Sequence, residues 1–185
     1  MNELKKRKHP RLDNYDYSSA GAYFITICTK ERRRVLSRVV WRDLAPAEEI
    51  ETVRSVGRGL APAEEFTVEY TALGMTVEKQ LLLLEERFSH LTIDRYMIMP
   101  NHIHVIMILA NETAGASPRP TVMDIVSAFK SLTVRECRTI GFDGALFQAS
   151  FYEHIIRNRE DYLEHVKYIH ENPIKWRFDE LYTEE

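Results

Sequence analysis

The chain predicts an α+β sandwich, one antiparallel sheet covered by helices, and three observations carry that expectation. Extended apolar runs occupy residues 22–29, 91–99 and 102–109. Helix-period stripes occupy 75–88, 121–138 and 159–172. The resulting order β, α, β, β, α, β, α interleaves the two kinds of element, and only a sheet with helices packed on it buries both.

The first strand is Ala22-Tyr23-Phe24-Ile25-Thr26-Ile27-Cys28-Thr29, aromatic and β-branched, following a polar turn region at Tyr15 to Gly21. Residues 35–70 hold a near-repeat: Val40 to Glu49 recurs as Val56 to Glu65, each copy ending Leu-Ala-Pro-Ala-Glu-Glu. Two copies are too few for a solenoid, so this stretch reads as an exposed loop insertion within a single domain spanning 1–185. Met75 to Phe88 reads as a helix because Val77, Leu81, Leu84 and Phe88 fall on one stripe. Leu91 to Met99 reads as a strand, and Pro100-Asn101 turns the chain into the next one, which makes an antiparallel hairpin.

A Gly/Ser/Pro loop follows at Asn111 to Pro120, then a helix over Thr121 to Arg138. Val122, Ile125, Val126, Phe129, Leu132 and Thr133 are spaced to pack there, with Lys130 facing away. Phe147 to Arg157 is short and extended. Asn158 has the chemistry of an N-cap for a last helix over Arg159 to Asn172, and Glu160 and Asp161 in its first turn favour the helix dipole. Pro173 ends that helix by restricting Asn172 before it.

Composition narrows the function classes. With 44% hydrophobic and 29% charged residues the chain has the make-up of an ordinary globular domain. It has no apolar run near the ~20 residues needed to cross a bilayer. Met1 to Lys8 carries no apolar segment after its basic residues, so no secretory signal is expected there. Cys28 and Cys137 are too few for a disulfide framework, and a reduced, cytoplasmic location is the expectation. A net charge of −3 gives no argument for nucleic acid, but the distribution is polarised. Lys5, Lys6, Arg7, Lys8 and Arg11 form a basic N-terminal arm (1–14), and Lys30, Arg32, Arg33 and Arg34 a second cluster. Such clusters suit a phosphate backbone, and they equally suit solvated loops and ends.

Two constellations carry chemistry. In Met99-Pro100-Asn101-His102-Ile103-His104, the histidines sit two apart on a strand and so share one face. Two imidazoles on one face suit one divalent cation, and the competing reading is a pair of hydrogen-bonded core histidines. In the last helix the apolar stripe runs Tyr162, Val166, Ile169. Tyr168 stands off it, on a face shared with Glu164, His165 and Asn172. A tyrosine one turn from an amide oxygen suits a nucleophile beside a metal, and the competing reading is a partly packed surface tyrosine.

Taken together and in order, these motifs resemble the REP-associated tyrosine transposases and their insertion-sequence-200-like relatives, the single-tyrosine branch of the HUH nucleases. The resemblance runs through Tyr17-Ser18 with Gly21 to Thr26, Met99 to His104, Phe129-Lys130-Ser131, Phe147-Gln148, Tyr152 to Arg157, and Tyr168-Ile169-His170-Glu171-Asn172-Pro173. It covers nearly the whole chain outside 35–70. Phe147 departs from it, since a tryptophan commonly precedes that glutamine.

The resemblance implies a ferredoxin-like HUH nuclease fold, with His102, His104 and Asn172 as metal ligands and Tyr168 as the nucleophile. It implies Mg²⁺ or Mn²⁺, whose open positions take phosphate oxygens and whose charge stabilises the leaving 3′-oxygen. The implied reaction is cleavage and rejoining of single-stranded DNA beside a hairpin through a 5′-phosphotyrosine, needing no ATP because the ester keeps the bond energy. The phenol's ordinary pKa of about 10 means that the metal or a base must help, and His165 and His170 are near enough in sequence to be candidates. Tyr152 is a candidate for stacking on a base, and the arm, the Lys30 to Arg34 cluster and Lys130 for backbone contacts. A monomer or homodimer, with no membrane partner, is expected. Two other readings remain open: a hairpin DNA or RNA-binding module without turnover, and a metal-dependent phosphodiesterase that uses water.

Overall fold

The computed structural model describes residues 15–41, 66–111 and 120–183. The basic arm, most of the repeat and the 112–119 loop expected from the sequence lie outside these residues.

Four strands form the main sheet: β1 (Gly21–Cys28), β4 (Leu91–Ile98), β5 (His102–Leu109) and β6 (Tyr152–Ile156). Their order is β4-β5-β1-β6, and every neighbouring pair is antiparallel. With α1 (Ala72–Arg87) linking β1 to the β4–β5 hairpin and α2 (Val122–Thr139) linking that hairpin to β6, this is the ferredoxin-like arrangement expected. The helix α3 (Arg159–Glu171) follows β6.

The two faces of the sheet have different contents. Along β1, Tyr23, Ile25 and Ile27 join the main core, as do Ile103, Val105, Met107 and Leu109 of β5. Val77, Leu81 and Leu84 of α1 and Val122, Ile125, Val126 and Phe129 of α2 fill the same core. The period of two sends Phe24, Thr26, His102 and His104 to the opposite face, where α3 lies. The first layer holds the fold together and the second carries polar side chains.

Helix starts follow local chemistry. Thr71 Oγ1 accepts from the Gly74 amide at 3.1 Å, and Thr121 and Asp124 form a reciprocal capping box. Asn158 caps α3 as its sequence indicates, accepting from the Asp161 amide at 2.9 Å. Gly74 is required by contact: a Cβ there would overlap the Leu36 carbonyl oxygen, where α1 passes close to the residue before Ser37.

Three expectations are revised. The stretch 35–70 is not loop throughout, because Ser37–Trp41 (β2) pairs antiparallel with Phe66–Tyr70 (β3) as a separate two-stranded ribbon. The repeat masked the alternation of Phe66 to Tyr70. Pro173 does not force Asn172 out of helical space, since Asn172 has φ −57° and ψ −43° and its amide bonds Tyr168 O at 3.0 Å. The chain continues in tight turns to a 3₁₀ turn at Trp176–Phe178. Lys130 does not face away: its Nζ donates to the carbonyls of Gln148, Ala149 and Ser150 at 2.9, 3.2 and 3.0 Å. It also lies 5.4 Å from the Phe151 ring centre, and burial lowers its ammonium pKa to about 8. The lysine stem runs along the protein surface to reach that loop, which a helical-wheel argument does not foresee.

Candidate metal centre and nucleophile

His102 opens β5 opposite Cys28, and His104 lies opposite Thr26. Both imidazoles are buried, with ring centres 4.5 Å apart. Each is held through Nδ1. His102 Nδ1 lies 2.8 Å from Asn101 Oδ1, and His104 Nδ1 lies 2.9 Å from Thr26 Oγ1. With Nδ1–H as donor in each pair, the lone pair stands on Nε2. Both Nε2 atoms are buried and have no hydrogen-bond partner.

A third buried atom without a partner is Asn172 Oδ1. Its Nδ2 donates to Asp179 Oδ2 at 2.6 Å, which turns the amide so that the oxygen is left over. Leaving a buried acceptor unsatisfied costs about 1–3 kcal/mol, so two imidazole nitrogens and an amide oxygen left together suit a shared occupant. Ligand atoms of His102, His104 and Asp179 also lie within 4.8 Å of one another. The residues present therefore fit a divalent cation: two neutral imidazoles and one or two oxygens. Burial depresses the His102 pKa to about 4 and holds His104 well below its ordinary value, so both rings are neutral at physiological pH.

Tyr168 stands beside this pair. Its ring centre is 5.0 Å from that of His104 and 5.9 Å from that of Phe24, and the residue is 45% exposed. The phenol donates to Asp179 Oδ2 at 3.4 Å. Burial, with the neighbouring Asp179 charge, pushes its pKa up to about 12. One carboxylate thus touches both the phenol and the amide that sets the third oxygen. On the same helix Ile169 is buried against the sheet, while Tyr162 is only partly buried and ends on Asp94 Oδ2 at 2.6 Å.

A cleft of about 550 Å³ opens over the site, lined by Phe24, Thr26, Arg32, His104, Tyr152, Glu164, His165, Tyr168, Glu180 and Leu181. Tyr152, 58% exposed, and Arg32 therefore reach it, as does His165, whereas His170 does not line it. Glu31 and Arg32 both adopt positive φ, 59° and 53°, an uncommon conformation for residues with side chains, at the rim. The rest of the basic cluster is spread. Arg33 donates to Ala145 O at 3.0 Å, and Arg34 to Thr183 O at 3.3 Å while lying over Trp176 and Tyr182. Lys30 is exposed beside Glu31. Lys130 is spent on the 148–150 carbonyls.

Three contributors escaped sequence reasoning. Asn101 sits inside a Pro-Asn turn, yet it is buried and bridges His102 to Leu181 O, 2.7 Å from its Nδ2. Thr26 looks like an ordinary strand threonine, and only the register against His104 shows its use. Asp179 lies in an acidic tail with nothing to mark it from Glu180. Asn101 had one available signal, its place directly before His102.

No protein-family model matches the chain. A protein of Haemophilus influenzae (strain ATCC 51907 / DSM 11121 / KW20 / Rd), described as uncharacterized, is 28% identical over 196 residues, covering 98% of this chain and 96% of its own. The REP-associated tyrosine transposase of Escherichia coli (strain K12) is 30% identical over 83 residues, covering 45% of this chain. That match spans 44% of the relative's own length, less than half. A solved structure described as a REP-associated tyrosine transposase bound to a REP hairpin shares the fold, with a TM-score of 0.58 and 19% identity. The superposition covers 91% of this chain and 76% of that one. Among the described residues no helix is long and apolar enough to cross a membrane.

Proposed function

We propose that this chain, a relative of the REP-associated tyrosine transposases, is a metal-dependent single-stranded DNA transposase that cuts and rejoins strands beside hairpins through a 5′-phosphotyrosine. One observation carries the reading. Three buried ligand atoms without partners, His102 Nε2, His104 Nε2 and Asn172 Oδ1, stand beside the half-exposed Tyr168, whose ring centre is 5.0 Å from that of His104 and which precedes Asn172 by one helical turn. His102, His104 and Asn172 hold the cation, Mg²⁺ or Mn²⁺, with Asp179 oriented to join or support them. When bound, the cation supplies Lewis-acid polarisation of the phosphodiester and charge stabilisation of the leaving oxygen.

The chain's own residues do the rest. Tyr168 Oη attacks phosphorus in line, the P–O3′ bond breaks, and the 3′-oxygen leaves to become a hydroxyl while the 5′-phosphate stays on tyrosine. Asp179, the hydrogen-bond acceptor of the phenol, is placed to take its proton. In the reverse direction a 3′-hydroxyl from another strand displaces the tyrosine. Tyr152 presents an exposed ring on which an unpaired base stacks, and Arg32, which lines the same cleft and donates to the Glu180 carbonyl at 3.2 Å, supplies positive charge for the strand's phosphates. Hairpin DNA as partner is supported by the description of the solved relative, which is bound to a REP hairpin.

The test is a covalent-adduct assay. Labelled hairpin-bearing single strands from the gene's own flanks are incubated with the protein and Mn²⁺, then separated on a denaturing gel beside Tyr168→Phe. A shifted protein–DNA band that disappears in Tyr168→Phe and with EDTA is the expected result. Cleavage surviving in Tyr168→Phe makes the chain a water-using phosphodiesterase. Tight hairpin binding with neither product nor adduct makes it a binding module.

A further inference from the structure

A second cluster of metal-binding chemistry lies apart from the histidine pair of β5. His154 projects from β6, and Asp161 and His165 from the first two turns of α3. His154 Nε2 is 2.9 and 3.0 Å from the two carboxylate oxygens of Asp161. His165 Nδ1 is 3.1 Å from Asp161 Oδ1 and 2.8 Å from the Asp161 carbonyl. The two imidazoles stack face to face, with centres 4.6 Å apart and planes 20° from parallel. No residue of this trio belongs to the set of His102, His104 and Asn172.

We infer that His154, Asp161 and His165 form a second cation site, for a borderline transition metal of the Zn²⁺ class, that clips the start of α3 to strand β6. The donor set is two imidazoles and one carboxylate, which suits Zn²⁺, Co²⁺ or Ni²⁺ better than a hard cation such as Mg²⁺. The spacing also fits. Bonds of 2.0–2.1 Å in a tetrahedral site place neighbouring ligand atoms about 3.3 Å apart. The nitrogen-to-carboxylate distances here are 2.9 to 3.1 Å, so an ion enters as the carboxylate opens slightly and the stacked rings turn toward it, His165 Nδ1 giving up its bond to the Asp161 carbonyl. The outer side is open for water as the remaining ligand, because the His154 side chain is 48% exposed. Each ring ligates in its neutral form, its proton moved to the other nitrogen, and the carboxylate is already ionised because the His154 hydrogen bond lowers its pKa.

The position gives such a clip a purpose. Ile169 is the single buried residue of α3, and Leu163 is half exposed, so apolar packing holds this helix only lightly. Tyr168 lies three residues beyond His165 and shares its face. Phe24 touches both, with ring centres 4.5 Å from His165 and 5.9 Å from Tyr168. An ion joining Asp161 and His165 to the sheet edge therefore fixes the rotation of α3 about its axis, and with it the direction of the Tyr168 phenol.

Zn²⁺ titration of the full chain by calorimetry, with Co²⁺ absorption as an independent readout, tests the site. Wild-type protein is expected to take two equivalents, and His154→Gln one, with the lost equivalent at least tenfold weaker. The Co²⁺ visible bands of that equivalent vanish in the same variant. His154 is half exposed, so the substitution leaves the fold intact, which circular dichroism checks. A single equivalent unchanged by His154→Gln overturns the inference, and so does a second equivalent that survives the substitution. His154→Gln leaves the β5 histidines untouched, so loss of this site and failure of the His102–His104 centre read out separately.

Discussion

Asp179 Oδ2 receives the Asn172 amide at 2.6 Å and the Tyr168 phenol at 3.4 Å, so one carboxylate holds both the proposed third ligand and the proposed nucleophile. Asp179→Ala is expected to release the Asn172 amide to rotate and to weaken Mn²⁺ binding by roughly 10–100-fold, the usual range for a lost supporting hydrogen bond. Removing the carboxylate also returns the Tyr168 pKa from about 12 toward its ordinary value. Calorimetry measures the first effect, and ultraviolet titration against Tyr168→Phe the second. Unchanged Mn²⁺ affinity would sink the orienting role.

Acid should destabilise the metal-free protein earlier than its carboxylates alone would. His102 has its pKa lowered to about 4, and His104 is lowered too, so both stay neutral in the fold while the unfolded chain protonates them near 6.5. The unfolded state then binds more protons. The stability these groups contribute is complete above pH 6.5 and is lost as pH falls toward 4. Melting temperatures between pH 7.5 and 4.5 are expected to drop in that window, less steeply in His102→Ala. A flat profile contradicts the burial argument.

Lys130→Met is expected to lower stability by about 1–3 kcal/mol, since three carbonyls of the 148–150 loop lose their common donor. Hairpin affinity should change little, because the ammonium is engaged within the protein. A denaturant melt and a binding titration separate these outcomes. Weakened binding at unchanged stability would restore the DNA-contact role that the sequence indicates.

Gly74→Ala sets two effects against each other. Alanine gains about 1 kcal/mol of helix propensity. The new Cβ meets the Leu36 carbonyl, which also accepts from the Thr71 amide at 2.9 Å and from the Thr71 hydroxyl. Backbone does not yield as a flexible side chain does, so a net loss of about 1–3 kcal/mol is expected. Chemical denaturation reads the sign directly, and a stabilised variant would show that α1 can move away.

Much of this was legible in the sequence because it rests on local periodicity. The His102–His104 face follows from alternation in a strand, and the Asn158 cap and the Tyr168–Asn172 turn from helical spacing. The contributions of Thr26 and Asp179 were not legible, because they depend on which strand lies opposite and where a tail folds back. Lys130 shows the same limit. Its helix position indicates an outward side chain, and only the path of residues 148–150 shows what its ammonium reaches.

All but the first two residues of the near-repeat at 40–65 fall between β2 and β3, a ribbon separate from the sheet that carries the histidines. Loop-closure entropy grows only with the logarithm of length, so doubling such a connection costs about 0.6 kcal/mol. A change of length between Trp41 and Phe66 therefore costs folding little and leaves Thr26, His102 and His104 where they are. The connection between β2 and β3 is thus a place where the chain can change length while the sheet that carries the histidines keeps its geometry.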